Sequence, residues 1–130
     1  MGIRYEKDTI LNWINEMGKF LRLIVDKYEA FEPLDQQVLD KDGYKHFFGK
    51  SREDFHALSD TELNLFLRTL EPEQIRPLAQ LYMYDGLQSQ SKTLLTRAKF
   101  LFNFHMQQSG SFAFEDFALL DKIDKALVSL

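Results

Sequence analysis

His46, His56 and His105 are the chain's imidazoles, the side chains best suited to acid–base work near neutral pH. None sits in HExxH or another close metal-ligand spacing. His56 lies near Glu53 and Asp54, which permits an ion pair or a weak metal site, with a surface or boundary side chain as the plainer expectation. His105 falls in a Phe-rich stretch and reads as a packed, hydrogen-bonded histidine. The run VLDKDG invites a calcium-loop reading, but placing Asp40, Asp42 and Gly43 in register puts Val38 first and Gly49 last. Neither can ligate through a side chain, so a turn is expected instead. The adjacent acids Glu53/Asp54 and Glu115/Asp116 point to different parts of a helix surface and read as first-turn acids favoured by the helix dipole. There is no cysteine, which removes thiolate chemistry and disulfides. GxGxxG and GxxxxGK[ST] are absent, and Gly110 in SGSF is not a GxSxG elbow. No catalytic set, metal site or cofactor is therefore expected. The polar groups that a bundle could still enclose as a small-ligand or enzymatic site are Tyr82, Tyr84, Asp85 and His105.

Positioning falls to helices. From about Asp8 to Phe31 apolar residues recur in steps of three and four, at Ile10, Trp13, Ile14, Met17, Phe20, Leu21, Ile24, Tyr28 and Phe31. Leu11, Leu23 and Val25 widen the stripe, as expected of a helix with neighbours on more than one side or a dimer surface. Asp8 or Thr9 is the expected cap, and Pro33 cannot extend the helix. DKDG at 40–43 suggests a turn, with one or two helical turns between Gly43 and Gly49. Ser51 to Asp54 resembles a capping box, and Ser59 to Glu62 is a better one, opening a helix through Leu70. Pro72 suits a first helical position. Ile75 to Gln88 again reads as helix, with Pro77 harmless if it starts near Arg76 and a kink if it starts at Glu73. Gly86 is expected to end it or allow a bend. Ser91 to Gln108 and a segment from about Phe114 complete the set. Phe100, Phe102 and Phe104 cannot share one face, because a two-residue step turns about 200°. No run alternates long enough to be a strand. The expectation is a single all-α domain over 1–130, a compact bundle of about five to six helices.

Ile75, Leu78, Ala79, Tyr82, Gly86, Leu95 and Ala98 meet the pattern of large, small and aromatic positions of a tetratricopeptide repeat. Residues 75–98 thus resemble one such helix-turn-helix, with Gly86 at the turn. Ser91 and Gln88 depart from the family's preferences, and neither flanking segment repeats the pattern, so one hairpin in a bundle is expected rather than an array. The resemblance implies a partner-binding inner face at Glu73, Arg76, Gln80, Met83 and Tyr84. Packing of Met83 and Tyr84 on a neighbouring helix is the competing expectation. The stretch YEKDTILNWINEMGKFL, Tyr5 to Leu21, is similar to the opening of a family of small bacterial helical proteins of unknown activity.

The apolar fraction is 45% and aromatics reach 14%, including twelve Phe, which argues for an aromatic core and against disorder. Net charge is −4, from 16 basic and 20 acidic residues, and the basic ones are scattered. A nucleic-acid footprint is missing. The start, MGIRYEKDTI, carries acids at Glu6 and Asp8 and does not read as a secretory signal; Glu6 stands where a myristoylation motif wants Ser or Thr. No apolar run approaches the roughly 20 residues of a membrane span. The chain is read as cytoplasmic, a non-enzymatic helical interaction module for a protein or peptide. The alternative is a small-ligand or enzymatic bundle. A homodimer through the first helix, with Trp13, Phe20 and Phe31 facing a second copy, is a further reading.

Overall fold

The computed structural model describes residues 7–110 and 113–130, and every regular element among them is helical. After α1 (Lys7–Glu29) come three joined segments: α2 (Gln36–Val38), a π-helix (Leu39–Lys45) and α3 (His46–Phe48). Then follow α4 (Arg52–Ala57), α5 (Asp60–Leu67), α6 (Pro72–Ser89), α7 (Lys92–Ser109) and α8 (Phe114–Ser129). The all-α class is as the periodicity predicts. Four long rods, α1, α6, α7 and α8, carry the bundle, and the stretch 36–67 is cut into shorter pieces. None of the described helices is long and apolar enough to cross a membrane.

α6 is the central rod. Six consecutive residues, Leu81 to Gly86, are buried, which an amphipathic surface helix cannot achieve; α6 has to be covered all round. α7 returns along it in the most extensive contact of the molecule, α1 lies on another side, and α8 closes over α7 and α6. One hydrophobic cluster runs from Met17 to Ile123. Local signals set most boundaries. Ser59 Oγ accepts from the Glu62 N–H at 3.1 Å while Glu62 Oε1 accepts from the Ser59 N–H at 2.9 Å, the reciprocal box expected at α5. Ser51 and Ser91 cap α4 and α7 by accepting from Asp54 and Leu94. Pro72 opens α6, and Pro77 lies inside it. The carbonyl that Pro77 leaves without a partner belongs to Glu73, which is exposed, so water can take the missing donor's place.

Three boundary expectations are corrected. α1 is already helical at Lys7, so Asp8 and Thr9 lie within it and are not its cap. No turn forms at DKDG. The chain there is π-helical, with the His46 N–H reaching Lys41 O five residues back. Rings of that size bring Leu39 and Tyr44, five apart, to the core together. Gly43 serves close packing, since a Cβ there would stand 3.0 Å from the Phe20 ring. Gly86 is not at a turn either. It lies in α6, which continues to Ser89 before Gln90 turns left-handed at φ 54°. A Cβ on Gly86 would meet Leu95 Cγ and Cδ2 at 3.0 Å and Leu94 Cβ at 3.1 Å.

The Phe triplet of α7 divides as a two-residue step requires. Phe102 is buried, Phe100 is 42% exposed, and the Phe100 and Phe104 rings lie 6.1 Å apart along the flank.

Two glycines should therefore respond oppositely to alanine. Gly86→Ala crowds the α6–α7 contact and is expected to cost about 1–3 kcal/mol, more than helix propensity returns. Gly18→Ala, at an exposed position of α1 with nothing within 4 Å of the added carbon, should stabilise by roughly 0.5–1 kcal/mol. Urea unfolding of both variants measures the pair.

Candidate functional site

The five residues of the expected partner face do not share a free surface. Glu73 is exposed and Gln80 half-buried, but Met83 is 0% and Tyr84 4% exposed. Arg76 reaches across to α8, its Nε 2.7 Å from Asp116 Oδ1 and its Nη2 3.7 Å from Glu115. Asp116 is itself buried, so Arg76 fastens α8 to α6. Of the enclosed polar set, Tyr82 and Asp85 enter a buried polar cluster, Tyr84 packs edge-on against Tyr28 at 5.5 Å, and His105 stands half-buried on α7 outside that cluster.

The cluster is built around Asp85, 1% exposed on the central helix. Arg52, at the start of α4, meets it with both prongs: Nε donates to Oδ2 and Nη2 to Oδ1, each at 2.8 Å. Tyr44, carried inward by the π segment, donates its hydroxyl to Oδ2 at 2.7 Å. His56, one turn beyond Arg52, brings Nε2 to 3.5 Å from Oδ2, the outer limit of contact, with no partner at normal geometry among the described residues. Asp40 Oδ1 accepts from the Arg52 N–H at 2.7 Å and steadies the arginine's backbone. Burial alone would raise the Asp85 carboxyl, but the nearby His56 together with the Arg52 and Tyr44 hydrogen bonds outweighs burial and holds it below the usual carboxylate range. The same hydrogen bond raises Arg52 further. Tyr44 is pushed well up, first by burial and then by the Asp85 charge. Both Asp85 oxygens are thus engaged by internal donors, and what the constellation does chemically is hold a permanent ion pair.

A second arginine works beside it. Arg97 on α7 donates through Nη1 to Phe55 O at 3.2 Å and through Nη2 to Leu58 O, the carbonyls at the end of α4. Burial pushes the Tyr82 phenol up to about 12, with the Arg97 charge offsetting only part. Among the described residues no group of three or more His, Asp or Glu side chains is placed to hold a metal ion.

The open feature lies where α1 and α6 end together. α1 closes with the Phe31 N–H donating to Tyr28 O at 3.1 Å and the Glu32 N–H to Lys27 O at 2.9 Å. These are the two bonds of a Schellman motif, whose left-handed position normally takes glycine. Here it holds Phe31 at φ 57°, with 97% of the residue exposed. A bulky residue pays about 1–2 kcal/mol for that conformation. Beside it opens a hollow of about 530 Å³ lined by Tyr28, Glu29, Phe31, Glu32, Pro33 and, from the end of α6, Gln88. Glu29 also adds to the burial that raises the Tyr84 phenol beneath this corner.

Sequence reasoning missed Tyr44, Arg52 and the role of Phe31. Tyr44 and Arg52 stand 41 and 33 residues from Asp85, and no local pattern announces such a partner. For Phe31 a signal existed: Pro33 two residues on, as commonly follows a Schellman cap.

Removing one member of the central pair should hurt more than removing both. Arg52→Leu leaves a buried carboxylate facing only Tyr44 and His56 and is expected to cost about 3–5 kcal/mol; Arg52→Leu/Asp85→Leu should recover much of it, as urea unfolding will read. The pH limits follow from the shifts. Asp85, lowered in the fold, contributes stability above its unfolded value near 3.8 that disappears as pH falls through the folded one. Tyr82, raised to about 12, contributes stability that is intact below pH ~10 and lost on the way to 12. Phenolate absorbance should therefore show at least two tyrosines ionising only as circular dichroism reports unfolding.

Comparison of the chain with protein-family models, with curated proteins and with solved structures returned no match.

Proposed function

We propose that this chain is a non-enzymatic helical interaction module whose docking surface is the corner where α1 and α6 end. One observation carries the reading: Phe31 is held fully exposed in a backbone conformation that glycine would occupy at lower cost. A strained, solvent-facing aromatic destabilises the isolated fold and contributes nothing to its core. Strain of this kind concentrates at clamps and binding sites. The hollow beside the ring supplies a concave wall to match.

Two further facts support it. The charged constellation around Asp85 is engaged by its own donors, which suits a structural tie better than turnover. The resemblance of residues 75–98 to a tetratricopeptide hairpin, a unit that serves in binding, points the same way, with contact shifted from the buried Met83 and Tyr84 to the adjacent end of α6. Trp13 and Phe20, proposed above as dimer contacts, are half-buried and pack on Phe47 of the same chain at 5.7 Å, so of that trio Phe31 is the one fully exposed.

Phe31→Gly separates binding from folding. Relief of strain against glycine's extra flexibility predicts a net gain of roughly 0.5–1 kcal/mol, a rise of a few degrees in melting temperature. Affinity capture from cell extract with this variant should lose one defined partner that the wild type retains. An unchanged capture profile from the stabilised variant would overturn the proposal.

A further inference from the structure

We infer that the occupant of the α1/α6 corner is a basic peptide segment, a Lys or Arg flanked by an aliphatic or aromatic residue. This inference rests on the interaction reading above and adds the partner's chemistry.

Charge comes first. α1 and α6 both end at this corner, and each helix C-terminus presents the negative end of its dipole. Glu29 and Glu32 line the hollow and add two carboxylates. Lys122 reaches over from α8 to the Tyr28 ring, and Lys27, in the last turn of α1, does not line the hollow. The residues lining the hollow thus carry two carboxylates and no cation, and the helix ends add to the negative side.

The walls suit a cation as well. Lys122 Nζ stands over the Tyr28 ring, 5.7 Å from its centre, so one face of this corner already holds an ammonium. Phe31 offers a second, uncovered aromatic face, with 97% of the residue in water and no ammonium over it among the described residues. An incoming Lys or Arg would gain both the ring face and the carboxylates. Pro33 and the Tyr28 ring leave an apolar wall for the neighbouring side chain. At about 530 Å³ the hollow falls within the ~300–1,000 Å³ typical of ligand sites, room enough for two side chains of an extended peptide. An acidic peptide would meet repulsion from both lining carboxylates and from the helix ends.

The test is selection of a displayed library of random peptides on the wild type, on Phe31→Gly and on Glu29→Lys/Glu32→Lys, each variant checked for native circular dichroism. Peptides enriched on the wild type should carry Lys or Arg beside an apolar residue. A synthetic consensus peptide should bind on the order of tenfold more weakly to either variant and lose affinity at high salt. Enriched peptides without excess positive charge, yet lost with Phe31→Gly, would overturn the partner chemistry and leave the docking surface standing. Peptides indifferent to Phe31→Gly, or no enrichment on the wild type, would overturn the docking surface itself. A wild-type dimer in sedimentation that Phe31→Gly dissolves would name a second copy as the occupant and end the basic-peptide inference.

Discussion

Asp85 is only 1% exposed, so its charge has to be met by side chains brought from elsewhere in the chain. That constraint organises the middle of the molecule. Arg52 supplies two parallel hydrogen bonds and Tyr44 a third, and each drags its own element onto the central helix. α4 is a helix of only six residues, too short to persist alone. It is held at both ends by arginines of opposite origin. Its own Arg52 grips the carboxylate of α6, and Arg97 of α7 grips the carbonyls where it stops. The π segment is fixed by the same logic, since Tyr44 reaches the carboxylate from a widened turn that also buries Leu39.

Aromatic packing then fills the space that these polar ties define. Phe55, on α4 between the two anchor points, has ring neighbours in Tyr44 at 5.3 Å, Phe66 at 5.2 Å, Tyr82 at 6.2 Å and Phe48 at 6.3 Å. The last three are edge-to-face, a geometry that adds to simple burial, and the Tyr44 pair is tilted. One short helix, positioned by charge, thereby becomes the hub through which the 36–67 region packs on α6. The α6–α7 hairpin and the irregular layer are joined at Tyr82 and Asp85, three residues apart on one rod.

Much of the scaffold was legible because its causes are local. Ser59 with Glu62, Ser91 and Pro72 mark helix starts through bonds spanning three residues or fewer, and these stood where the sequence put them. What misled was glycine. Gly43 and Gly86 read as turn signals because glycine favours turns, yet each is there to admit a side chain from another element: the Phe20 ring in one case, Leu94 and Leu95 in the other. No single-chain pattern distinguishes the two uses. The reverse held at the end of α1, where the left-handed turn fell on a phenylalanine and the apolar spacing absorbed it as one more stripe residue. Asp85 was picked out as a polar group that a bundle could enclose, but its partners sit more than thirty positions away, beyond any periodicity argument.

The order in which this chain can condense follows from the length of the loop each contact closes. α6 and α7 are neighbours joined by a tight turn, so their zippering around Gly86 involves little loss of chain entropy. The Arg52–Asp85 bridge spans 33 residues and the Tyr44–Asp85 bond 41, and neither has a target until α6 exists. By closure entropy alone the α6–α7 hairpin is therefore the least costly of these contacts to form, and the two bonds to Asp85 are the more costly ones.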